Sequence, residues 1–188
     1  MIRSKGDESF CFTHHGTYDV SDITDHLLTF NSEWLLDTSR QETYTDHEHT
    51  FSYFLTEHSN QWGLGEPYAL ENKCVDLKLL GLVQPLVSRL EELHNGKVGK
   101  ALFIKLPAGK VVAPHYDGGE YLHVVRRNHI PIITNEGVSF TIDGESRHMS
   151  VGEIWEVNNN KLHSVANNGS TERVHLLIDI IPSWAFVA

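Results

Sequence analysis

Apolar residues recur at helical spacing from about Val75 to His94 and in short, separated runs after that segment. Between Val75 and His94 the apolar positions fall three or four residues apart, which predicts a helix. The stretch HNG, which ends at Gly96, is a stop signal for that helix. Pro85 lies inside the run, where it either kinks the helix or begins a second one.

From Lys97 onward the apolar runs are short, and each is bounded by Gly, Asn, Asp or Pro. They are KALFIKLP, IPIIT, VSFTID, ESRHMS, EIWEVN and RVHLLIDII. Asp143-Gly144, within TIDGES, predicts a hairpin turn. Many short strands at regular spacing are typical of a sandwich or barrel. We therefore predict a mainly β fold with flanking helices, built on an antiparallel jelly-roll (double-stranded β-helix, cupin-like) core.

The segment before the long helix is mixed. Ser21 is a predicted N-cap of a short helix. The runs EWLLDT and TFSYFLTE are rich in aromatic and other strand-forming residues, which predicts two strands. No repeat or linker divides the chain, so we predict a single domain over 1–188. In it, about 1–96 is a mixed helix and strand region and about 97–182 is the jelly-roll catalytic core.

Composition and charge exclude several classes of protein. Hydrophobic residues make up 40% and charged residues 21% of the chain, which is typical of a globular protein and not of a disordered one. The net charge is −10, and Arg126-Arg127 is the one adjacent basic pair, so nucleic acid is not an expected partner.

The same reading argues against a membrane protein and a secreted one. No apolar run approaches the roughly 18 residues that span a bilayer. The N-terminal stretch lacks an apolar core followed by a small-residue cleavage site. Cys11 and Cys74 form no CxxC pair and are read as free thiols. We expect a cytoplasmic protein.

His115 and Asp117 stand two residues apart in the stretch APHYD. On a strand, side chains at i and i+2 point to the same face, so an imidazole and a carboxylate would face one interior. An iron site of the facial type needs a second imidazole, and the later strands offer His163. The competing interpretation of His115 and Asp117 is a hydrogen-bonded pair at a strand end.

Arg173 follows His163 by ten residues, with the turn ANNGST between them. A guanidinium stays charged when buried and binds a carboxylate in a bidentate manner. If Arg173 faces inward, it predicts a small anionic cosubstrate. On the outer face it would instead be an ion partner of Glu172 or Asp179. Strand alternation alone leaves both orientations open.

Together these features resemble the 2-oxoglutarate-dependent Fe(II) dioxygenases. Within that superfamily the chain is most similar to the aspartyl/asparaginyl β-hydroxylase group, which includes small bacterial relatives that act on free amino acids such as proline. The stretches that carry the resemblance are LPAGKVVAPHYD, VVRRNHIPI, VGEIWEVNNNKLHSVANNGS and RVHLLIDI. The resemblance implies His115, Asp117 and His163 as Fe(II) ligands, and Arg173 as the residue that binds the distal carboxylate of 2-oxoglutarate.

The stretch RRNHIPI resembles the Arg-x-His segment of the same group. The resemblance implies that Arg127 and His129 approach the metal-side carboxylate of 2-oxoglutarate. Adjacent strand residues face opposite ways, so a register change of one residue would exchange Arg127 for Arg126. His123 and His175 are interpreted as structural histidines.

The polar stretch RQETYTDHEHTFSYF resembles, more loosely, a segment that helps to line the substrate site in this group. The resemblance implies substrate contacts for Arg40, Tyr44, His47 and Thr50. A solvated loop explains the charges of the stretch equally well.

The implied activity is hydroxylation of an amino acid or peptidyl side chain, of aspartyl/asparaginyl or prolyl type, with release of succinate and CO2. The expected partner is therefore a small amino acid or a peptide. The alternative is a cupin-like metal-binding protein without oxygenase activity. Cupins carry more than one histidine in their first motif, where this chain has His115 and Asp117.

Overall fold

The computed structural model describes residues 9–30, 34, 42, 47–58 and 70–186. The α-helices whose bounds lie in these residues are α1 (Ser21–Leu27), α2 (Leu77–His94) and α3 (Glu120–Val124), and a 3-10 helix covers Ser183–Ala185. The strands of the same residues are β1 (Phe12–Thr17), β2 (Phe51–His58), β3 (Leu70–Asn72), β4 (Gly96–Leu106), β5 (Val111–His115), β6 (Arg126–Ile133), β7 (Val138–Ile142), β8 (Glu145–Arg147), β9 (Glu153–Val157), β10 (His163–Asn167) and β11 (Arg173–Pro182).

The strands form two antiparallel sheets that pack face to face. The larger sheet has the order β1-β9-β6-β11-β4-β2-β3, and the smaller sheet has the order β5-β10-β7-β8. Between them lies an apolar cluster in which Leu106 and Val157 of the larger sheet meet Val112, Phe140 and Val165 of the smaller one. The predicted jelly-roll core with flanking helices is confirmed.

The central strand β11 is buried on both faces. Its even-numbered residues from Val174 to Ile180 share one apolar cluster with the buried residues of α2. Leu177 instead packs with Leu102, Ile104 and Phe54. Because side chains alternate along a strand, the odd-numbered residues of β11 face the space between the sheets.

The predicted helix is one continuous element, α2, with Pro85 inside it. The carboxylate of Asp76 caps its N-terminus by accepting a hydrogen bond of 2.9 Å from the backbone N–H of Leu79. Asn95 ends the helix in the left-handed conformation with φ of 45°. The stop therefore lies one residue before the predicted Gly96, which opens β4. None of the described helices has the length and apolarity to cross a bilayer.

The shorter predicted elements have mixed outcomes. The strand over TFSYFLTE is confirmed as β2. The hairpin at Asp143-Gly144 is confirmed, because both residues have positive φ, 49° and 82°, between the paired strands β7 and β8. The run EWLLDT lies outside the described residues except for Trp34, which is buried.

The predicted role of Ser21 as a helix cap is wrong. Ser21 is the first residue of α1, and the preceding Val20 stands at the cap position. The backbone N–H and the hydroxyl of Ser21 both donate to Asp19 Oδ1, at 3.0 and 2.6 Å. The carboxylate of Asp19 thus organises this turn, because it is the stronger acceptor.

From the packing of α2 on the larger sheet we predict how two substitutions change the free energy of unfolding. Leu86 is fully buried in the shared cluster, whereas Leu77 of the same helix is 79% exposed. We expect Leu86→Ala to lower the free energy of unfolding by about 2–5 kcal/mol. Leu77→Ala should change it by less than about 0.5 kcal/mol. Urea unfolding followed by circular dichroism measures both, and equal effects would contradict this packing.

Candidate metal centre

His115, Asp117 and His163 are brought together by the pairing of β5 with β10. His115 ends β5, His163 begins β10, and the two residues are direct cross-strand partners. Asp117 follows two residues after His115. One ligand atom from each of the three residues lies within 4.8 Å of the other two. The Nε2 atoms of His115 and His163 lie 3.8 and 4.0 Å from the carboxylate oxygens of Asp117.

Both imidazoles are fixed in the same tautomer by local backbone contacts. His115 Nδ1 lies 2.8 Å from the carbonyl oxygen of Ala113, and His163 Nδ1 lies 2.8 Å from that of Lys161. A carbonyl oxygen can only accept, so each Nδ1 carries the proton and donates it. In the neutral ring, Nε2 then carries the lone pair, and it is Nε2 that faces Asp117. This arrangement is typical of histidines that bind a metal.

The charge states of the three residues suit a divalent cation. Burial acts to raise the pKa of Asp117, but the charge of Arg127 and the two nearby imidazoles hold it below its ordinary value. Burial lowers the pKa of His163 and keeps its ring neutral. Two neutral imidazoles and one carboxylate form the donor set of a facial Fe(II) site.

Arg127 faces this centre and is held there by two carboxylates. Its Nε and Nη2 donate to the two oxygens of Asp179, each at 2.9 Å, and its Nη1 donates to Asp117 Oδ2. Asp179 is fully buried on the inner face of β11. Burial favours the neutral form of Arg127, but Asp117 and Asp179 outweigh it and raise its pKa. The ion pairs fix the orientation of the Asp117 carboxylate.

Arg126 points to the opposite face of the larger sheet. Its Nη1 donates to Glu156 Oε1 at 3.0 Å, and His15 Nε2 lies 3.1 Å from the other oxygen of Glu156. His94 of α2 completes a second group of metal-ligand types and is hydrogen-bonded to Asn128. Since a guanidinium already neutralises the carboxylate, this group is a satisfied polar network that ties α2 to the sheet. Of the two arginines, Arg127 is therefore the one that faces the interior.

Arg173 lies at the start of β11, on the inner face, and is 2% exposed. Its Nε and Nη2 have no hydrogen-bond partner among the described residues. The anions considered as its surface partners are engaged elsewhere, Glu172 with Lys105 and Asp179 with Arg127. Burial lowers the pKa of Arg173 to about 9, which leaves it charged at neutral pH. A buried cation with unused donors fits an anionic ligand.

Aromatic rings connect the metal centre with the surroundings of Arg173. Phe140 stacks on His163, with ring centroids 6.0 Å apart, and contacts His129 with a centroid distance of 5.1 Å. His129 is buried and lies 5.8 Å from His175, centroid to centroid. His129 thus shares the inner face with Arg127, as their common parity on β6 requires.

The candidate substrate residues are only partly described. His47 lies beside the metal centre, where its ring is 5.1 Å from that of His115 in an edge-to-face arrangement. Thr50 is buried, and its backbone N–H and hydroxyl both donate to the carbonyl oxygen of His47 at 2.9 Å. Thr50 therefore closes the turn that carries His47. Arg40 and Tyr44 lie outside the described residues.

Asp179 and His175 are the inner residues that the sequence analysis did not assign to the site. Asp179 anchors Arg127, and His175 lies beside Arg173 on the same strand face. The available signal was the spacing of Arg173, His175 and Asp179, which puts three polar side chains on one face of an otherwise apolar strand. Because the sequence does not show which face of this strand is inward, the same spacing was also compatible with a strand at an exposed edge.

Two comparisons bear on the family. A family model described as Aspartyl/Asparaginyl beta-hydroxylase matches residues 72–182. L-proline cis-4-hydroxylase of Rhizobium meliloti (strain 1021) is 31% identical over 97 residues, which are 50% of this chain and 35% of that protein. The chain thus spans about a third of the length of this curated relative.

Solved structures of similar fold include two oxygenases. The viral collagen prolyl hydroxylase of Paramecium bursaria Chlorella virus 1, solved as a 2OG complex, has a TM-score of 0.57 at 9% identity, over 95% of this chain and 99% of that one. A 2OG-Fe(II) oxygenase family oxidoreductase from Burkholderia pseudomallei has a TM-score of 0.52 at 12% identity, over 70% of this chain and 67% of that one. At these identities the likeness is one of fold.

The ion pairs of Arg127 generate a prediction on stability. Arg127→Met should lower the free energy of unfolding by about 3–5 kcal/mol, because it leaves the buried Asp179 carboxylate without its cation. Arg147→Met removes an exposed pair with Glu145 and should cost less than about 1 kcal/mol.

Chemical denaturation of the metal-free protein compares the two variants. Adding Asp179→Asn to Arg127→Met should recover part of the lost free energy of unfolding. Equal effects of Arg127→Met and Arg147→Met would show that Arg127 does not hold the interior together.

Proposed function

We propose that this chain, which belongs to the aspartyl/asparaginyl β-hydroxylase family, is an Fe(II)- and 2-oxoglutarate-dependent dioxygenase that hydroxylates an amino acid or peptidyl side chain. One observation carries the proposal. A facial set of two imidazoles and a carboxylate lies in the same interior as a buried arginine that lacks an anionic partner. The first suits Fe(II), and the second suits the far carboxylate of 2-oxoglutarate.

The ligand set would consist of Nε2 of His115, Nε2 of His163 and the carboxylate of Asp117. Three protein ligands leave open coordination positions for a cosubstrate and oxygen. When bound, iron and 2-oxoglutarate would supply the oxidative chemistry with O2 as the oxidant: one oxygen atom enters succinate as 2-oxoglutarate loses CO2, and the other becomes the hydroxyl group of the substrate.

Arg173 would orient the cosubstrate by binding its distal carboxylate, which removes much of the entropy cost of a productive encounter. Arg127 uses three of its five N–H groups on Asp117 and Asp179. Its remaining N–H groups, with the buried ring of His129, would approach the metal-side carboxylate. The same side chains exclude water from the interior, where fixed charges act most strongly.

The proposed substrate is a free amino acid or a peptide with a prolyl or an aspartyl/asparaginyl side chain. The name of the Rhizobium relative supports a proline-type substrate, although the match covers only part of that protein. His47, beside His115, would contact the substrate at the mouth of the centre, with Arg40, Tyr44 and Thr50 on the same segment. Succinate formation stimulated by individual free amino acids identifies the substrate.

The alternative, a cupin-like metal-binding protein without oxygenase activity, accounts for the metal ligands alone. It gives no role to the charge of Arg173, which is costly to bury without an anion.

A spectroscopic prediction tests the proposal without a substrate. Under anaerobic conditions, Fe(II) plus 2-oxoglutarate should give a weak visible charge-transfer band, because the cosubstrate chelates the iron. His163→Ala should lose the band, whereas His123→Ala, at an exposed position, should keep it. A folded, iron-loaded wild-type protein without the band would contradict the proposal.

A second prediction distinguishes the binding of 2-oxoglutarate from the binding of the metal ion. Arg173→Met should weaken 2-oxoglutarate binding by at least about 30-fold, because a buried charged partner is removed. The affinity of the Arg173→Met variant for Mn²⁺ should stay within about threefold of the wild-type value. Calorimetric titration measures both constants. If the two affinities fell together, Arg173 would be a structural residue.

A further inference from the structure

His175 is a buried imidazole that forms no hydrogen bond with the residues that the structure describes. It is 1% exposed and lies two residues after Arg173 on the same face of β11. Within the described part of the chain, neither of its ring nitrogens has a hydrogen-bond partner. With Nε and Nη2 of Arg173, four nitrogen atoms without partners are concentrated on two neighbouring side chains of one strand face. Buried polar atoms are nearly always paired in folded proteins, so such a concentration indicates a missing partner.

The strands beside His175 do not supply that partner. Its cross-strand neighbours are Ile104 on β4 and Pro131 on β6, whose side chains have no polar atoms. The ring of His129 lies 5.8 Å away between centroids. An apolar residue would fill the position of His175 at lower cost, unless the imidazole serves a ligand that enters this space.

The chemistry of His175 suits an anion. Burial, and then the charge of Arg173, lower the pKa of His175 well below its ordinary value, so the ring is neutral. A neutral imidazole offers one N–H donor and one acceptor. A carboxylate has more acceptor sites than one guanidinium fork occupies, so it can accept from an arginine and an imidazole together.

We infer that His175 donates a second hydrogen bond to the carboxylate that Arg173 binds, and so makes the site selective for 2-oxo acids with a distal carboxylate. The inference rests on the proposed function and deepens it. It assigns to His175 a binding role in place of the structural role expected from the sequence.

The test compares two ligands with two variants. 2-Oxopentanoate has a methyl group where 2-oxoglutarate has its distal carboxylate. His175→Phe keeps a ring but removes both nitrogens, and His175→Asn keeps an N–H donor in a smaller side chain. Affinities for both ligands are measured by calorimetry on the Mn²⁺-loaded protein, with His123→Phe as the exposed control.

We expect His175→Phe to weaken 2-oxoglutarate binding by about 10- to 100-fold, as for loss of a hydrogen bond to a charged group. The affinity for 2-oxopentanoate should not change, and His175→Asn should lie between the wild type and His175→Phe. The metal-free His175→Phe protein should be as thermally stable as the wild type, because it loses only unpaired polar atoms. If His175→Phe does not fold, a loss of 2-oxoglutarate affinity in His175→Asn with 2-oxopentanoate affinity unchanged supports the inference, and no loss overturns it.

Two results would overturn the inference. His175→Phe could bind 2-oxoglutarate as the wild type does, or it could lose affinity equally for both ligands. In either case the wild type still binds 2-oxoglutarate and the proposed function stands. A wild type that binds no 2-oxoglutarate would overturn the proposed function and this inference together.

Discussion

The antiparallel pairing of β5 with β10 is the constraint on which the site depends. It sets His163 directly opposite His115, while the chain that leaves β5 returns Asp117 to the same point. Because each histidine donates Nδ1–H to the carbonyl two residues before it, the backbone of these strands also selects the reactive nitrogen. Metal-ligand geometry is thus built into the sheet before any ion binds.

Charge inside the sandwich is distributed unequally between Arg127, which is partly buried, and Arg173, which is fully buried. Arg127 is compensated by Asp117 and Asp179, so it stiffens the metal centre and shapes its carboxylate. Arg173 has an apolar setting and no counter-ion in the described residues, and His175 beside it is equally unpaired. Such a site costs stability in the empty protein, and binding of an anion would recover that cost. Arg127 therefore stabilises the structure of the site, whereas Arg173 would bind its ligand.

Sequence reasoning reached the jelly roll because the short runs after Lys97 and the turn at Asp143-Gly144 are local signals. It proposed His115, Asp117 and His163 chiefly from a family resemblance, because the expected strand parity does not apply: β5 ends at His115, and Asp117 follows the strand. It did not reach the sidedness of β11, since that strand is buried on both faces and its apolar residues hide the alternation. It misplaced the cap of α1, because a carboxylate at Asp19 outcompetes the hydroxyl of Ser21 as an acceptor. The anchoring of Arg127 by Asp179 depends on a cross-strand pairing that no local pattern reveals.

The central claim is that one metal ion and one dicarboxylate occupy this interior together. A crystal structure of the protein with Mn²⁺ and 2-oxoglutarate, with the ion located by its anomalous scattering, tests it most directly. We expect one ion bound by His115, Asp117 and His163, with the far carboxylate of 2-oxoglutarate bound by Arg173. Anomalous density at His15, His94 and Glu156 instead, or a ligand that leaves Arg173 without an anion, would contradict it.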